Sequence, residues 1–118
     1  MQAIDLMQNA VKCADDKKAH DLKVLDIKDL TTLADYFVIC HGTSTSQMGA
    51  ISDAIEEKFK SEGILMLNQG AHDSTQWILM DYGDVIVHIF NEESREFYGI
   101  EKLWADAESV DISDIIAQ

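Results

Sequence analysis

"WILMDYGDVIVHIFNEESREFYGIEKLW", residues 77–104, holds both tryptophans of the chain, two of its three tyrosines and two of its four phenylalanines. Two apolar runs, "TQWILM" and "VIVHIF", are joined through "DYGD", whose glycine suits a positive φ, so the spacing predicts a tight hairpin. The runs are nearly continuous rather than alternating, the pattern of central strands covered on both faces. Asn91 is placed to cap a last helix, with Glu92 and Glu93 at the positive end of its dipole. In that helix Phe97, Ile100 and Trp104 recur three to four apart as a buried stripe, and Arg95, Tyr98 and Lys102 line a different face. On the strand before it, Trp77 and Leu79 share one side.

Upstream, Ile4, Met7, Val11 and Ala14 recur at helical spacing and predict a helix over about residues 3–18. "DLKVLDI" presents Leu22 and Val24 and then, after a register change, Leu25 and Ile27, a short strand; "LADYFVICHG" is a second strand ending at Gly42. The following "GTSTSQMGAISDAIEEKFKSEG" carries the signals of a helix. Ser44 and Gln47 have capping-box spacing, Met48, Ile51, Ile55 and Phe59 make the apolar stripe, and Gly63 suits the left-handed terminus. "ILMLNQGAHDSTQ" reads as a strand leading into a polar loop. Residues 105–118, "ADAESVDISDIIAQ", hold four acids and no base, which points to a mobile tail or a loosely attached short helix. The expected architecture is one α/β domain over 1–104, a mixed sheet of about five strands with helices on both faces, followed by an acidic tail over 105–118.

A chain of 118 residues is long enough for a core without disulfides or metals. Its apolar runs fall far short of the roughly 20 residues of a membrane span, and its N-terminus lacks a signal peptide's cationic start and apolar run. Cys13 and Cys40 lie in apolar-patterned segments without CxxC spacing, as small buried hydrophobes of a reducing compartment do. These features favour a soluble, cytoplasmic protein. The net charge of −13 repels phosphate backbones, which argues against nucleic-acid binding, and it speeds encounter with cationic surfaces.

Signals of chemistry are weak. His20, His41, His72 and His88 show no ligand spacing, so no metal site is expected. His88, inside "VIVHIF", reads as an interior, hydrogen-bonded histidine. "GTSTS" between strand and helix invites a phosphate-loop reading, but it has one glycine and no lysine. No acid-x-acid pair follows on a strand to hold magnesium; Asp81 and Asp84 sit in a turn, and turn formation explains them. The enzyme alternative is a nucleotide-binding or nucleotidyltransferase-like protein using Thr43, Ser44 and the Asp81/Asp84 turn. The other alternative is a binding module: with the Trp77 side incompletely covered, an aromatic patch results, bordered by Arg95, Tyr98 and Lys102 on an otherwise acidic molecule. Arg95 and Lys102 are the only lysine or arginine residues after Lys60.

"DYFVICHGTS" and the 77–104 string resemble the ribosomal silencing factor family, also called iojap-like proteins, and the resemblance runs over nearly all of residues 3–104. It implies an α/β sandwich related to nucleotidyltransferases but lacking their metal-binding acids, with no enzymatic activity and no cofactor. It also implies binding to the large ribosomal subunit through its ribosomal protein fourteen (uL14). That contact would block joining of the subunits and repress translation when nutrients are scarce, and members of the family are often homodimers when free. The matching candidates for ribosomal contact are Trp77 and Leu79 on the strand and Asn91, Arg95, Tyr98 and Lys102 around the last helix. Two departures stand out: His41 replaces a small polar residue, and the acidic tail extends past the common motif.

Overall fold

In the computed structural model, which describes residues 2–67 and 76–116, five strands form one mixed sheet, whose spatial order is residues 77–81, 85–91, 36–42, 20–26 and 108–109. The helix α1 (Ala3–Asp16) leads into β1 (His20–Asp26), which is antiparallel to β2 (Tyr36–Gly42). The helix α2 (Thr45–Ser61) follows, then the hairpin of β3 (Trp77–Asp81) and β4 (Val85–Asn91), with β4 parallel to β2. The short helices α3 (Glu92–Tyr98) and α4 (Ile100–Leu103) precede β5 (Glu108–Ser109), which pairs with β1.

β2 and β4 sit side by side in the interior of the sheet and are buried almost throughout. Alternation along the strands then divides the core in two. Val38, Cys40, Val87, Ile89, Ile78 and Met80 face the α1 and α2 stripes, including Met7, Val11, Ile55 and Phe59. Phe37, Ile39, Ile86 and Phe90 point the other way, toward Ile27 and Ile100, with Trp77, Leu79, Trp104 and Ala107 partly buried against them. Each large apolar side chain removed from water in this way contributes about 1.5–3 kcal/mol. Burial pushes the Cys40 thiol up to about 12, so it remains a protonated core group.

The local signals behave as the sequence indicates. Ser44 Oγ accepts the Gln47 amide hydrogen at 3.0 Å, while Gln47 Oε1 accepts from the Thr43 amide at 2.8 Å. The Gln47 amide group also donates to the Lys18 carbonyl at 2.9 Å, tying the start of α2 to the end of α1. Asn91 Oδ1 accepts from the Ser94 amide at 2.8 Å as the α3 cap. In the hairpin turn Gly83 has φ 86° and donates its amide to Asp81 Oδ1 at 2.8 Å.

The fold departs from the sequence expectations in several places. The buried face of α1 centres toward Leu6 and Ala10, about a quarter turn from Ile4, which is exposed. The irregularity of β1 lies between His20 and Lys23, where Asp21 has φ 49°; Val24 and Leu25 simply face opposite cores. Residues 64–67 are not a strand: Leu67 donates its amide to the Asp81 carbonyl at 2.8 Å, and the remainder of that expected strand and loop, with His72, lies outside the described residues. The last helix is two helices, because Gly99 takes φ 56° and ends the first. Residues 105–116 are not a loose tail. Ala107 packs on one core and Val110, Ile112, Ile115 and Ile116 pack on the other, so the segment wraps the β1 edge, and the Val110 amide donates to the Val24 carbonyl at 2.8 Å.

Candidate functional site

Trp77 and Leu79 lie on the face of β3 opposite α1 and α2, paired with Phe90 and His88 of β4. The Trp77 ring is 5.0 Å from the Phe90 ring at an interplanar angle of 28° and 4.9 Å from the Tyr98 ring. Tyr98 in turn meets Phe97 edge-on at 5.1 Å. Inward, Phe37 stands edge-on to His88 at 4.7 Å and to Trp104 at 5.3 Å. A ladder of rings therefore runs from the core to solvent. Trp77 is half-buried, Tyr98 is 39% exposed and Phe97 is 82% exposed.

Phe97 departs from its expected place in the buried stripe. A continuous helix would keep Phe97, Ile100 and Trp104 on one face; the left-handed Gly99 resets the phase, so Ile100 and Trp104 reach the core while Phe97 points to water. The glycine at position 99 was the available signal, since helices commonly end on a left-handed glycine.

Arg95 also departs from its expected place on an exposed face beside Tyr98. It is 9% exposed and joins four elements. Its Nε donates to Glu101 Oε1 at 2.7 Å, Nη1 lies 2.8 Å from His41 Nδ1 and 3.4 Å from the His20 carbonyl, and Nη2 lies 3.8 Å from Asp21 Oδ2. Lys23 completes the network at 3.3 Å from Glu101 Oε2. Because guanidinium only donates, His41 accepts through Nδ1. Burial, then Arg95 and His20, hold the His41 pKa below its ordinary value. Partial burial opposes ionisation of Glu101, but its bonds to Arg95 and Lys23 outweigh this and lower its pKa. His41 and His20 stack at 5.5 Å as part of this network.

Of the six candidates, Trp77, Leu79 and Tyr98 come together on one surface. Asn91 lies at its border, lining a shallow cavity with Gln76, Phe97 and Tyr98. Lys102 is exposed on α4 and lines a separate cavity of about 280 Å³ with His41, Arg95 and Glu96.

The residues of the nucleotide alternative do not converge. β2 runs from Tyr36, opposite Val85, to Gly42, opposite Asn91, so Thr43 and Ser44 lie about 20 Å from the Asp81/Asp84 turn, at the other end of the sheet. Ligands of open α/β sheets bind at the carboxyl ends of the strands. There a cleft of about 590 Å³ is lined by Gly42, Thr43, Asn91, Glu92, Glu93 and Glu96, and three carboxylates repel a triphosphate. Among the described residues no cluster of histidine, cysteine and carboxylate side chains could hold a metal ion, and no helix is long and apolar enough to cross a membrane.

Comparison with known proteins agrees with this architecture. The family described as "Ribosomal silencing factor during starvation" matches residues 1–118, so its pattern includes the C-terminal segment that the sequence motif left out. A Halalkalibacterium halodurans protein named ribosomal silencing factor RsfS is 38% identical over 113 residues, covering 96% of this chain and 97% of that one. A Bacillus subtilis protein of the same name is 38% identical over 112 residues, covering 95% of each. The crystal structure of a Chromobacterium violaceum protein superimposes with a TM-score of 0.84 at 31% identity, covering 89% of this chain and 88% of that one. The chain belongs to the ribosomal silencing factor family.

Proposed function

We propose that this protein silences ribosomes by steric occlusion. In the cytoplasm it docks on the large ribosomal subunit through ribosomal protein uL14, covers part of the surface where the small subunit joins, and represses translation when nutrients are scarce. The observation that carries this reading is the stacked pair Trp77 and Tyr98, partly open to solvent on a molecule of net charge −13. Tryptophan and tyrosine are enriched among the few residues that dominate binding, where truncating one commonly costs about 2 kcal/mol or more. The acidic field speeds encounter with a basic ribosomal protein and resists the surrounding RNA. Leu79 extends the contact and Asn91 borders it, Lys102 adds an exposed positive charge on the neighbouring α4, and Arg95 acts from behind by holding α3 and α4. No cofactor and no chemical step are required. In the absence of ribosomes the same rings, with Phe97, offer a self-complementary face for a homodimer.

Joining of purified subunits, followed by light scattering, tests the reading. The parent protein suppresses joining, and Trp77→Ala and Tyr98→Ala, folded by circular dichroism, suppress it at least tenfold less effectively. Undiminished suppression by both variants would remove the patch from the mechanism.

A further inference from the structure

Among the described residues His88 is the only imidazole inside the ring ladder, 5% exposed at the centre of β4 and directly opposite Leu79. Its Nδ1 lies 3.2 Å from the indole Nε1 of Trp77. Indole nitrogen is a donor only, so the imidazole accepts through Nδ1 and carries its proton on Nε2. Nε2 is buried and has no hydrogen-bond partner among the described residues. A phenylalanine here would fill the same slot between Phe37 and Phe90 without burying an orphan donor. Histidine therefore costs the fold something, and what it gives in return is one bond, directed at the residue on which docking turns.

We propose that His88 is a positioning residue: its Nδ1 fixes which edge of the Trp77 indole turns toward Tyr98 and solvent, so that the docking face is preformed. The inference rests on the docking role of Trp77 and goes beyond it. An indole can flip by rotation about its Cβ–Cγ bond, and packing against Phe90 and Tyr98 restrains the ring plane more than the choice of edge. The bond to a strand-held imidazole selects the edge. Burial lowers the His88 pKa to about 4, so the acceptor stays unprotonated through the neutral range. A preordered ring loses less freedom on binding, which raises affinity without adding a contact.

The test uses the full chain with His88→Phe and His88→Asn, whose side-chain carbonyl can stand in for Nδ1, and His88→Leu as a second apolar variant should the larger ring fit poorly. Three readouts are taken: the Trp77 indole N–H resonance by nitrogen-edited NMR, assigned with Trp77→Phe; the melting temperature; and affinity for isolated large subunits. In the apolar variants the indole resonance moves toward its unbonded position, the melting temperature is unchanged or higher, and affinity falls about five- to tenfold. His88→Asn restores the resonance and most of the affinity. An unmoved indole resonance in the apolar variants, or affinity kept while the bond is lost, overturns the inference. So does affinity that falls only in step with stability. If instead Trp77→Ala binds subunits as tightly as the parent, the docking reading falls, a result distinguishable because the indole resonance is read in the free protein.

Discussion

Arg95 Nε and Glu101 Oε1 meet at 2.7 Å across Gly99, so one charge-assisted bond clamps the two short helices that the left-handed residue separates. The same guanidinium holds β1 and β2 through His20 and His41. Arg95→Ala leaves Glu101 and the His41 acceptor without their partner and is expected to destabilise the fold by about 2 kcal/mol. Arg95→Lys recovers little of this, because a single ammonium cannot span three directions. Lys102→Ala, at an exposed position, leaves stability within about 0.5 kcal/mol. Urea unfolding of the three variants checks the ranking; equal stability of Arg95→Ala and the parent would show that the network is ornamental.

Acid should weaken the fold before its carboxylates titrate. His88 has an ordinary pKa of 6.5 unfolded and one of about 4 when folded, because burial penalises the imidazolium. In the window between these values the unfolded chain binds the extra proton, so stability is full above 6.5 and falls as the pH drops toward 4. The difference is worth about 3 kcal/mol in total. His41, lowered by its own burial and by Arg95, adds to the slope with the same sign. Glu101, also lowered, contributes stability that is lost only below about its ordinary 4.5, so its effect comes later. Denaturant midpoints measured from pH 7.5 to 4.5 should decline for the parent and much less for His88→Phe; parallel declines would mean that His88 is not the group responsible.

How much of this was legible in the sequence depends on how far apart the determinants lie. Ser44 with Gln47, Gly63 and the "DYGD" turn are local devices, and each acts within four residues of itself. Trp77 and Leu79 share a face because a strand alternates. The burial of Arg95 is not visible in the sequence, because its partners at positions 20, 21 and 41 are more than fifty residues away and only the sheet brings them together. The packing of the C-terminal segment is hidden in the sequence because its four acids outweigh the apolar spacing of Val110, Ile112, Ile115 and Ile116, whose partners in the core come from elements distant in the chain. Trp77 is partly buried and meets both Phe90 and Tyr98, and neither ring contact follows from spacing.

Gly99 sets the aim of the aromatic surface. At φ 56° an added Cβ would meet the Glu96 carbonyl oxygen at 3.6 Å and Lys102 Cδ at 3.9 Å, ordinary contact distances, so crowding is not the obstacle. The cost of Gly99→Ala is conformational, about 1 kcal/mol, or a drop in melting temperature of about 4 °C for a domain of this size. Asparagine tolerates the left-handed region better, so Gly99→Asn should lie between the two. Thermal melts order the three; an alanine variant as stable as the parent would show that α3 and α4 can join into one helix without loss.

Phe97 separates folding from docking. Its ring is 82% exposed and touches Tyr98 edge-on, so Phe97→Ser removes little buried area and should leave the melting temperature within about 2 °C of the parent. A large exposed aromatic next to Trp77 and Tyr98 is, however, what a partner would cover. The same substitution is therefore expected to weaken binding to isolated large subunits by about tenfold, and to do so through faster dissociation, because no charge is changed and the long-range field that governs encounter is intact. Surface plasmon resonance with immobilised subunits separates the two rate constants. A slower association with unaltered dissociation would place Phe97 outside the contact, and an unaltered affinity would confine the docking face to Trp77, Leu79 and Tyr98.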